Sequence, residues 1–261
     1  MKRTVITPVI SEFPEEFQDL LTAPVYDSSC SPEARVWFLD HGDGLFLKAA
    51  PKGTLKTEAE MTACFHSKGL GAEVLQYVSS DRDWLLTRRV PGEDCTHRMY
   101  LDDPIRLCDT TAALLRQLHE TDISGCPVSD RNDRCFAAAE SNYHAGRFDP
   151  SFLPEVWQPG SAEKAWNLVL ENKDRMKADV LLHGDYCLPN ILLDDWRFSG
   201  FIDVGNGGIG DRHFDIFWGI WSLGFNLKTD AFRERFLDAY GRDKAEPEML
   251  RLIAALESFG E

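Results

Sequence analysis

The sequence predicts an α+β protein in two parts: an N-terminal antiparallel sheet with one helix over residues 1–90, and a mainly helical part over 91–261 that carries one β-hairpin. Three observations predict it. Short apolar runs joined by turn-forming clusters fill the first part. Apolar residues at helical spacing fill the second. Pro91-Gly92 breaks the pattern where one gives way to the other.

Taken in order, Ala34–Leu39 and Gly44–Ala49 flank Asp40-His41-Gly42-Asp43, which reads as a hairpin turn. Thr54–Ser67 has helical spacing, with Leu55, Ala59, Thr62 and Phe65 or His66 toward one side and Gly69 as its C-cap. Glu73–Val78 and Trp84–Val90 form a second hairpin over Ser79–Asp83. Beyond the break, Asp103 caps a helix that Pro104 opens, and Leu107, Leu114, Leu115 and Leu118 make its apolar stripe. Further helices are expected over Arg134–Ala145, Ala162–Lys173, Asp211–Leu223, Thr229–Tyr240 and Glu246–Ser258.

Composition narrows the function classes. The 261-residue chain has a net charge of −15, which argues against a nucleic-acid partner and favours cationic ligands. Its seven cysteines are odd in number, scattered and without a CxxC, so reduced thiols in a cytoplasmic protein are expected rather than a disulfide framework or zinc site. The N-terminus lacks the apolar core of a signal peptide, and Ile216–Phe225 is too short to span a bilayer, so no membrane partner is expected. Nothing in the pattern speaks to an oligomeric state.

The chemistry concentrates in Val180–Asp215. Val180-Leu181-Leu182 runs apolar into His183-Gly184-Asp185. Asn190–Leu193 then reads as a strand, Asp194–Arg197 as a turn and Phe198–Ile202 as the returning strand, ending at Asp203. Hairpin ends are neighbours, so Asn190 and Asp203 can share one cation. Magnesium takes hard oxygen ligands and draws the rest of its shell from phosphates and water. Asp185, five residues before Asn190, is placed to orient an attacking hydroxyl. Two carboxylates and an amide in this pattern suit phosphoryl transfer. Gly205, Gly207, Gly208 and Gly210 let the following backbone turn tightly beside a ligand. On a strand of the first part, Phe46 and Lys48 share one face, where a ring can cover a purine and an ammonium can reach phosphates. A strand-central lysine needs an anionic partner, and Glu58 on the next helix is the candidate, because Glu60 projects from another face.

These residues resemble the bacterial aminoglycoside phosphotransferases, above all the branch that modifies the 3′-hydroxyl of kanamycin-type antibiotics. The resemblance rests on His183-Gly184-Asp185, Leu188-Pro189-Asn190, Phe198–Asp203 and Asp211-Arg212 with Asp215. It extends upstream to Leu118–Pro127 and Leu45–Lys48. It implies a two-lobed protein-kinase-like fold with Mg-ATP bound between the lobes, a nucleotide lobe over 1–90 and a catalytic and substrate lobe over 91–261. It also implies Asp185 as the catalytic carboxylate, Asn190 and Asp203 as magnesium ligands, Lys48 on the α/β-phosphates paired with Glu58, Phe46 against adenine, and Ser31 in a loop over the phosphates. His183 is expected to brace the loop, and Asp211 and Asp215 to cap a helix or brace the loop backbone. Glu155, Asn206 and Glu257 are the candidate contacts to the amines of an aminoglycoside. Asn206 stands where close relatives carry arginine, and the 149–157 segment is poorer in acids than its counterpart.

Other readings remain open at this stage. A related kinase could act on another hydroxyl compound, such as an amino alcohol, a sugar or a macrolide. A non-catalytic nucleotide-binding scaffold is a third reading, opposed by the presence of Lys48, Asp185, Asn190 and Asp203 together. No separable activation segment between Asp203 and Asp215 supports a protein kinase.

Overall fold

The computed structural model describes residues 3–30 and 32–260. The chain begins with β1 (Thr4–Ile6), a short helix α1 (Glu15–Gln18), β2 (Val25–Asp27), β3 (Arg35–Leu39), β4 (Leu45–Pro51), α2 (Lys56–Ser67), β5 (Val74–Ser79), β6 (Arg82–Arg88) and β7 (Glu93–Asp94). Helices α3 (Arg98–Leu101), α4 (Pro104–His119), α5 (Arg131–His144) and α6 (Ala162–Asn172) follow. Then come β8 (Val180–Leu182), β9 (Ile191–Asp194), β10 (Arg197–Phe201), β11 (Gly208–Gly210), α7 (His213–Leu227), α8 (Arg233–Tyr240) and α9 (Pro247–Glu257). Two units emerge. One holds the chain up to Asp94 together with Leu192–Gly205; the other holds Cys95–Ile191 and the chain from Asn206 onward.

The first unit is built on a six-stranded antiparallel sheet in the order β1-β2-β3-β4-β6-β5. Register sorts its faces: Trp37 pairs with Leu47, which pairs with Leu86, while Phe38 pairs with Phe46 and Val36 with Lys48. The face with Val25, Trp37, Leu47, Trp84 and Leu86 is buried under Phe13, Phe17 and Leu21 of the N-terminal segment. The opposite face carries Phe46 and Lys48, and α2 packs there through Leu55 and Ala59 against Ala50 and Leu85. The buried Asp83 carboxylate ties the start of α2 to β6, accepting from Leu55 N at 3.0 Å and Ser79 Oγ at 2.6 Å. The β9–β10 hairpin also belongs here from Leu192 on, and β9 pairs with β7. Its two turn residues, Asp195 (φ 47°) and Trp196 (φ 65°), are both left-handed, as a two-residue type I′ connection requires. Gly92 marks the close approach at the expected break: a Cβ there would lie 2.2 Å from the Leu193 carbonyl oxygen.

The second unit is helical around one small antiparallel pair, β8 with β11. Asp103 caps α4 as its spacing suggests, accepting from Arg106 N at 3.2 Å. Helix α7 is buried along most of its length, which matches its nearly unbroken apolar sequence. Gly208 and Gly210 let β11 pack: a Cβ at Gly210 would sit 2.6 Å from Leu182 and one at Gly208 2.7 Å from Val128. The short elements β1, α1, β2, β7, α3 and β11 lie outside the expected set. Helix α5 starts earlier than expected, at Arg131, and α8 later, at Arg233. No described helix is long and apolar enough to cross a membrane, and no disulfide forms among the described residues.

Candidate active site

Two clusters gather the residues that the sequence marks. In the first unit, Lys48 leaves the open face of β4, and α2 brings Glu58 over it. Lys48 Nζ donates to both Glu58 carboxylate oxygens, at 2.9 and 2.8 Å, and to Asp203 Oδ1 at 3.0 Å. Burial works against the ammonium, but Glu58 and Asp203 outweigh it and hold the Lys48 pKa above the ordinary lysine value. Burial, foremost, raises the Glu58 carboxyl; Lys48 lowers it and the like charge of Asp203 raises it, and the net is a rise. Gly205 passes beside this pair, where a Cβ would come within 3.2 Å of Glu58 Cβ. Asp203 adopts a left-handed backbone (φ 59°) and leaves its side chain 54% exposed. Aspartate tolerates that conformation better than most residues.

Phe46 lies on the same face, half-buried, with its ring centroid 5.3 Å from that of Phe38. Arg3, which the sequence did not single out, stacks its guanidinium 3.6 Å above the Phe38 ring and 5.7 Å from Phe46. Ser31 lies outside the described residues. The segment before it is tied to β3: Ser28 N donates to Val36 O at 2.8 Å, and Ser29 Oγ accepts from Val36 N at 3.0 Å.

In the second unit, β8 delivers the chain into His183-Gly184-Asp185 and the 3-10 turn Leu188–Asn190. Asn190 Nδ2 donates to Asp185 Oδ2 at 2.8 Å and to the Asp185 carbonyl at 3.0 Å. This closes the loop and turns the amide oxygen of Asn190 away from Asp185. From behind, Asp215 on α7, fully buried, accepts His183 N at 2.7 Å and Gly184 N at 2.9 Å. His119 donates to the same carboxylate through Nε2 at 3.2 Å and meets the Tyr240 hydroxyl through Nδ1 at 2.8 Å. Burial, foremost, pushes the Tyr240 pKa up to about 12. His183 is buried and accepts from Asp185 N through Nδ1 at 3.3 Å, so it braces the loop. Gly184 is obligatory: its φ is +85°, and a Cβ would lie 1.9 Å from the Asn206 carbonyl oxygen.

Asp211 fastens the N-terminus of α7, accepting from Lys177 N at 2.8 Å, His213 N at 2.9 Å and His213 Nδ1 at 2.6 Å. Burial would raise its carboxyl, but these donors, His213 first, hold it below the ordinary aspartate value.

The three candidate acceptor residues have different settings. Glu155 is exposed at the start of a 3-10 turn. Asn206 is exposed, and its carbonyl accepts from the buried Arg131 Nε at 2.6 Å. Glu257 ends α9 and is 9% exposed. Trp157, for which the sequence allowed either sugar stacking or core sealing, is buried, 5.1 Å from the Phe217 ring, and seals the core. No group of three or more His, Cys, Asp or Glu side chains among the described residues could hold a metal by itself.

A half-buried lysine–glutamate pair between β4 and α2 and an aspartate–asparagine loop fed by a strand have the form of a kinase-like phosphotransferase site. The phosphotransferase enzyme family matches residues 32–252, and the chain belongs to that family. A probable aminoglycoside 3′-phosphotransferase of Lactococcus lactis subsp. lactis (strain IL1403) is 45% identical over 253 residues, covering 96% of each chain. An aminoglycoside 3′-phosphotransferase of Niallia circulans is 31% identical over 223 residues, covering 84% of each. Among solved structures, an aminoglycoside-3′-phosphotransferase of type VIII superposes with a TM-score of 0.71 at 27% identity, covering 89% of this chain and 91% of that one. The α+β, protein-kinase-like architecture expected from the sequence is thus the fold of this chain.

Proposed function

We propose that this enzyme transfers the γ-phosphoryl group of ATP to a hydroxyl, the 3′-hydroxyl, of a cationic aminoglycoside, and so confers resistance in the cytoplasm. The observation that carries the reading is the Asp185 carboxylate held by Asn190 in a loop pinned by Asp215. A carboxylate fixed in this way can point at one alcohol. The 45% identity to a probable aminoglycoside 3′-phosphotransferase supports the acceptor class, and the net charge of −15 favours a polycation.

In this reading the N-terminal lobe, residues 1–90, binds the nucleotide, and residues 91–261 supply catalysis and the acceptor site. Lys48 holds the α/β-phosphates, Glu58 holds Lys48, and Phe46 covers the adenine. Ser31 lies in the loop expected over the phosphates. Asn190 Oδ1 and the Asp203 carboxylate, one before and one after the β9–β10 hairpin, would be the protein's magnesium ligands, since their hard oxygens fit that ion. Magnesium would neutralise charge on the β- and γ-phosphates. Asp185 accepts the hydrogen bond of the acceptor hydroxyl and aims its oxygen in line at the γ-phosphorus. As the new O–P bond forms, the bond to the β,γ-bridging oxygen breaks, ADP leaves, and the hydroxyl proton passes to Asp185. Positioning carries most of the rate. Glu155, Asn206 and Glu257 meet the amines of the acceptor.

The test is nucleotide consumption across a panel of aminoglycosides, with choline, simple sugars and a macrolide as controls. Turnover is expected with kanamycin-type compounds and is lost with a 3′-deoxy analogue. Turnover on a control but on no aminoglycoside would overturn the acceptor class.

A further inference from the structure

Arg3 stands beside the residues assigned to the nucleotide and has no part in that assignment. It precedes β1, whose Val5 pairs with Tyr26. Strand alternation therefore puts Arg3 on the same face as Val5, Tyr26, Phe38 and Phe46. From the edge strand its side chain crosses β2 and brings the guanidinium carbon 3.6 Å from the centre of the Phe38 ring on β3. That separation is van der Waals contact, so the guanidinium lies flat on the ring. Its N–H groups then radiate sideways, in the plane of the fork.

Tyr26, Phe38, Phe46 and Thr87 form one row across the sheet, each paired with the next. Arg3 covers Phe38, which is buried, whereas Phe46 keeps open surface. The guanidinium carbon is 5.7 Å from the centre of the Phe46 ring, and the two rings are 5.3 Å apart. These distances set the guanidinium nearly at a right angle to the line joining the rings, so it rises beside Phe46 and not over it. On the other side of Phe46 stands the short Thr87. The result is a recess with an aromatic floor and one planar, cationic wall. Lys48 lies two residues along β4, roughly 7 Å away. The wall is held against a like charge: burial first, and then Arg89, lowers the Arg3 pKa, while Glu93 and Asp40 act in the opposite direction. Two cations thus converge at this aromatic face in a chain of net charge −15.

We propose that Arg3 is a nucleotide-binding residue that walls the base recess above Phe46 and turns its N–H groups toward the ring nitrogens of the purine. Those nitrogens are acceptors that arginine pairs with readily. The inference rests on Phe46 lying under the base, and it adds a residue from ahead of the first strand to base recognition. All the residues involved belong to the first unit. Arg3 holds the base and takes no part in phosphoryl transfer.

The experiment compares R3A, R3K and F46L in the full-length enzyme with magnesium present. Calorimetry reads the Kd of ADP, which has base and phosphates, and of tripolyphosphate, which has phosphates alone. R3A is expected to weaken ADP about fivefold, the scale of one stacked cation contact, and to leave tripolyphosphate within about twofold of the wild type. R3K keeps the charge and loses the planar fork, and is expected to bind ADP nearly as weakly as R3A. The proposal is overturned if R3A binds ADP as tightly as the wild type or more tightly. It is overturned if tripolyphosphate weakens as much as ADP, which a general loss of charge or of structure would cause. It is also overturned if R3K restores full ADP affinity. F46L separates these failures from that of the underlying reading, because it removes the flat floor and keeps an apolar side chain. If F46L binds ADP normally, the base does not lie on Phe46 and that assignment is wrong. If F46L weakens ADP and R3A does not, only the role of Arg3 is wrong.

Discussion

Asp215→Ala tests whether the catalytic loop is held from behind by one carboxylate. The side chain is fully buried and satisfies three donors: His183 N at 2.7 Å, Gly184 N at 2.9 Å and His119 Nε2 at 3.2 Å. Truncation leaves all three without that acceptor in a region closed to solvent. Each stranded donor costs roughly 1–3 kcal/mol. Removing a buried charge recovers part of that, because the carboxylate no longer has to be desolvated. The net loss is expected at about 3–5 kcal/mol, a large share of the roughly 5–15 kcal/mol that stabilises an ordinary domain. Urea denaturation followed by tryptophan fluorescence reads it as a shift in midpoint at constant slope. Asp215→Asn keeps one acceptor oxygen and is expected to fall between the wild type and the alanine variant. An alanine variant within about 1 kcal/mol of the wild type would show that the loop is held by something else, and the bracing role would be withdrawn.

Three further outcomes are expected. Gly184→Ala forces a methyl to within 1.9 Å of the Asn206 carbonyl oxygen at a φ of +85°, so the loop must shift; kcat should drop about a hundredfold or more while nucleotide affinity by calorimetry is kept, and a normal kcat would contradict the geometry. Glu58→Gln weakens the clamp on Lys48, and the nucleotide KM is expected to rise about tenfold; an unchanged KM with a lower kcat would move Glu58 out of nucleotide binding. Asp211 has its carboxyl held below the ordinary value of 3.8, so its contribution to stability is complete above that pH and is lost as pH falls through its lower folded pKa. Asp211→Asn should therefore flatten the acid limb of the stability curve, and a limb identical to the wild type would refute it.

The sequence made the local chemistry readable and the long-range bracing unreadable. The spacing of Phe46 and Lys48 on a strand, and of Glu58 on the next helix, is a local pattern, and the Lys48–Glu58 pair forms as that pattern suggests. The β9–β10 turn and the Asp103–Pro104 helix start are likewise written in a few adjacent residues. Strands β1 and β2 escape the sequence pattern because each is three residues long, too short to show an alternation, and β1 lies at the edge of the sheet. The brace shows the same limit. His119 lies 96 residues from Asp215, Arg131 lies 75 from Asn206, and Ser222 lies 34 from Leu188. Periodicity cannot report partners at those separations. It can report that Asp211 and Asp215 stand at the start of an apolar helix, and both turn inward there, to cap the helix and to hold the loop.

The Lys48–Glu58–Asp203 cluster is assembled wholly within one unit, and the supports of the Asp185 loop wholly within the other. Damage to the enzyme therefore sorts into two phenotypes. Variants that loosen α7 are expected to yield proteins that still capture nucleotide yet turn over slowly. Variants at the sheet should do the reverse, retaining intrinsic competence that raised nucleotide concentrations can rescue.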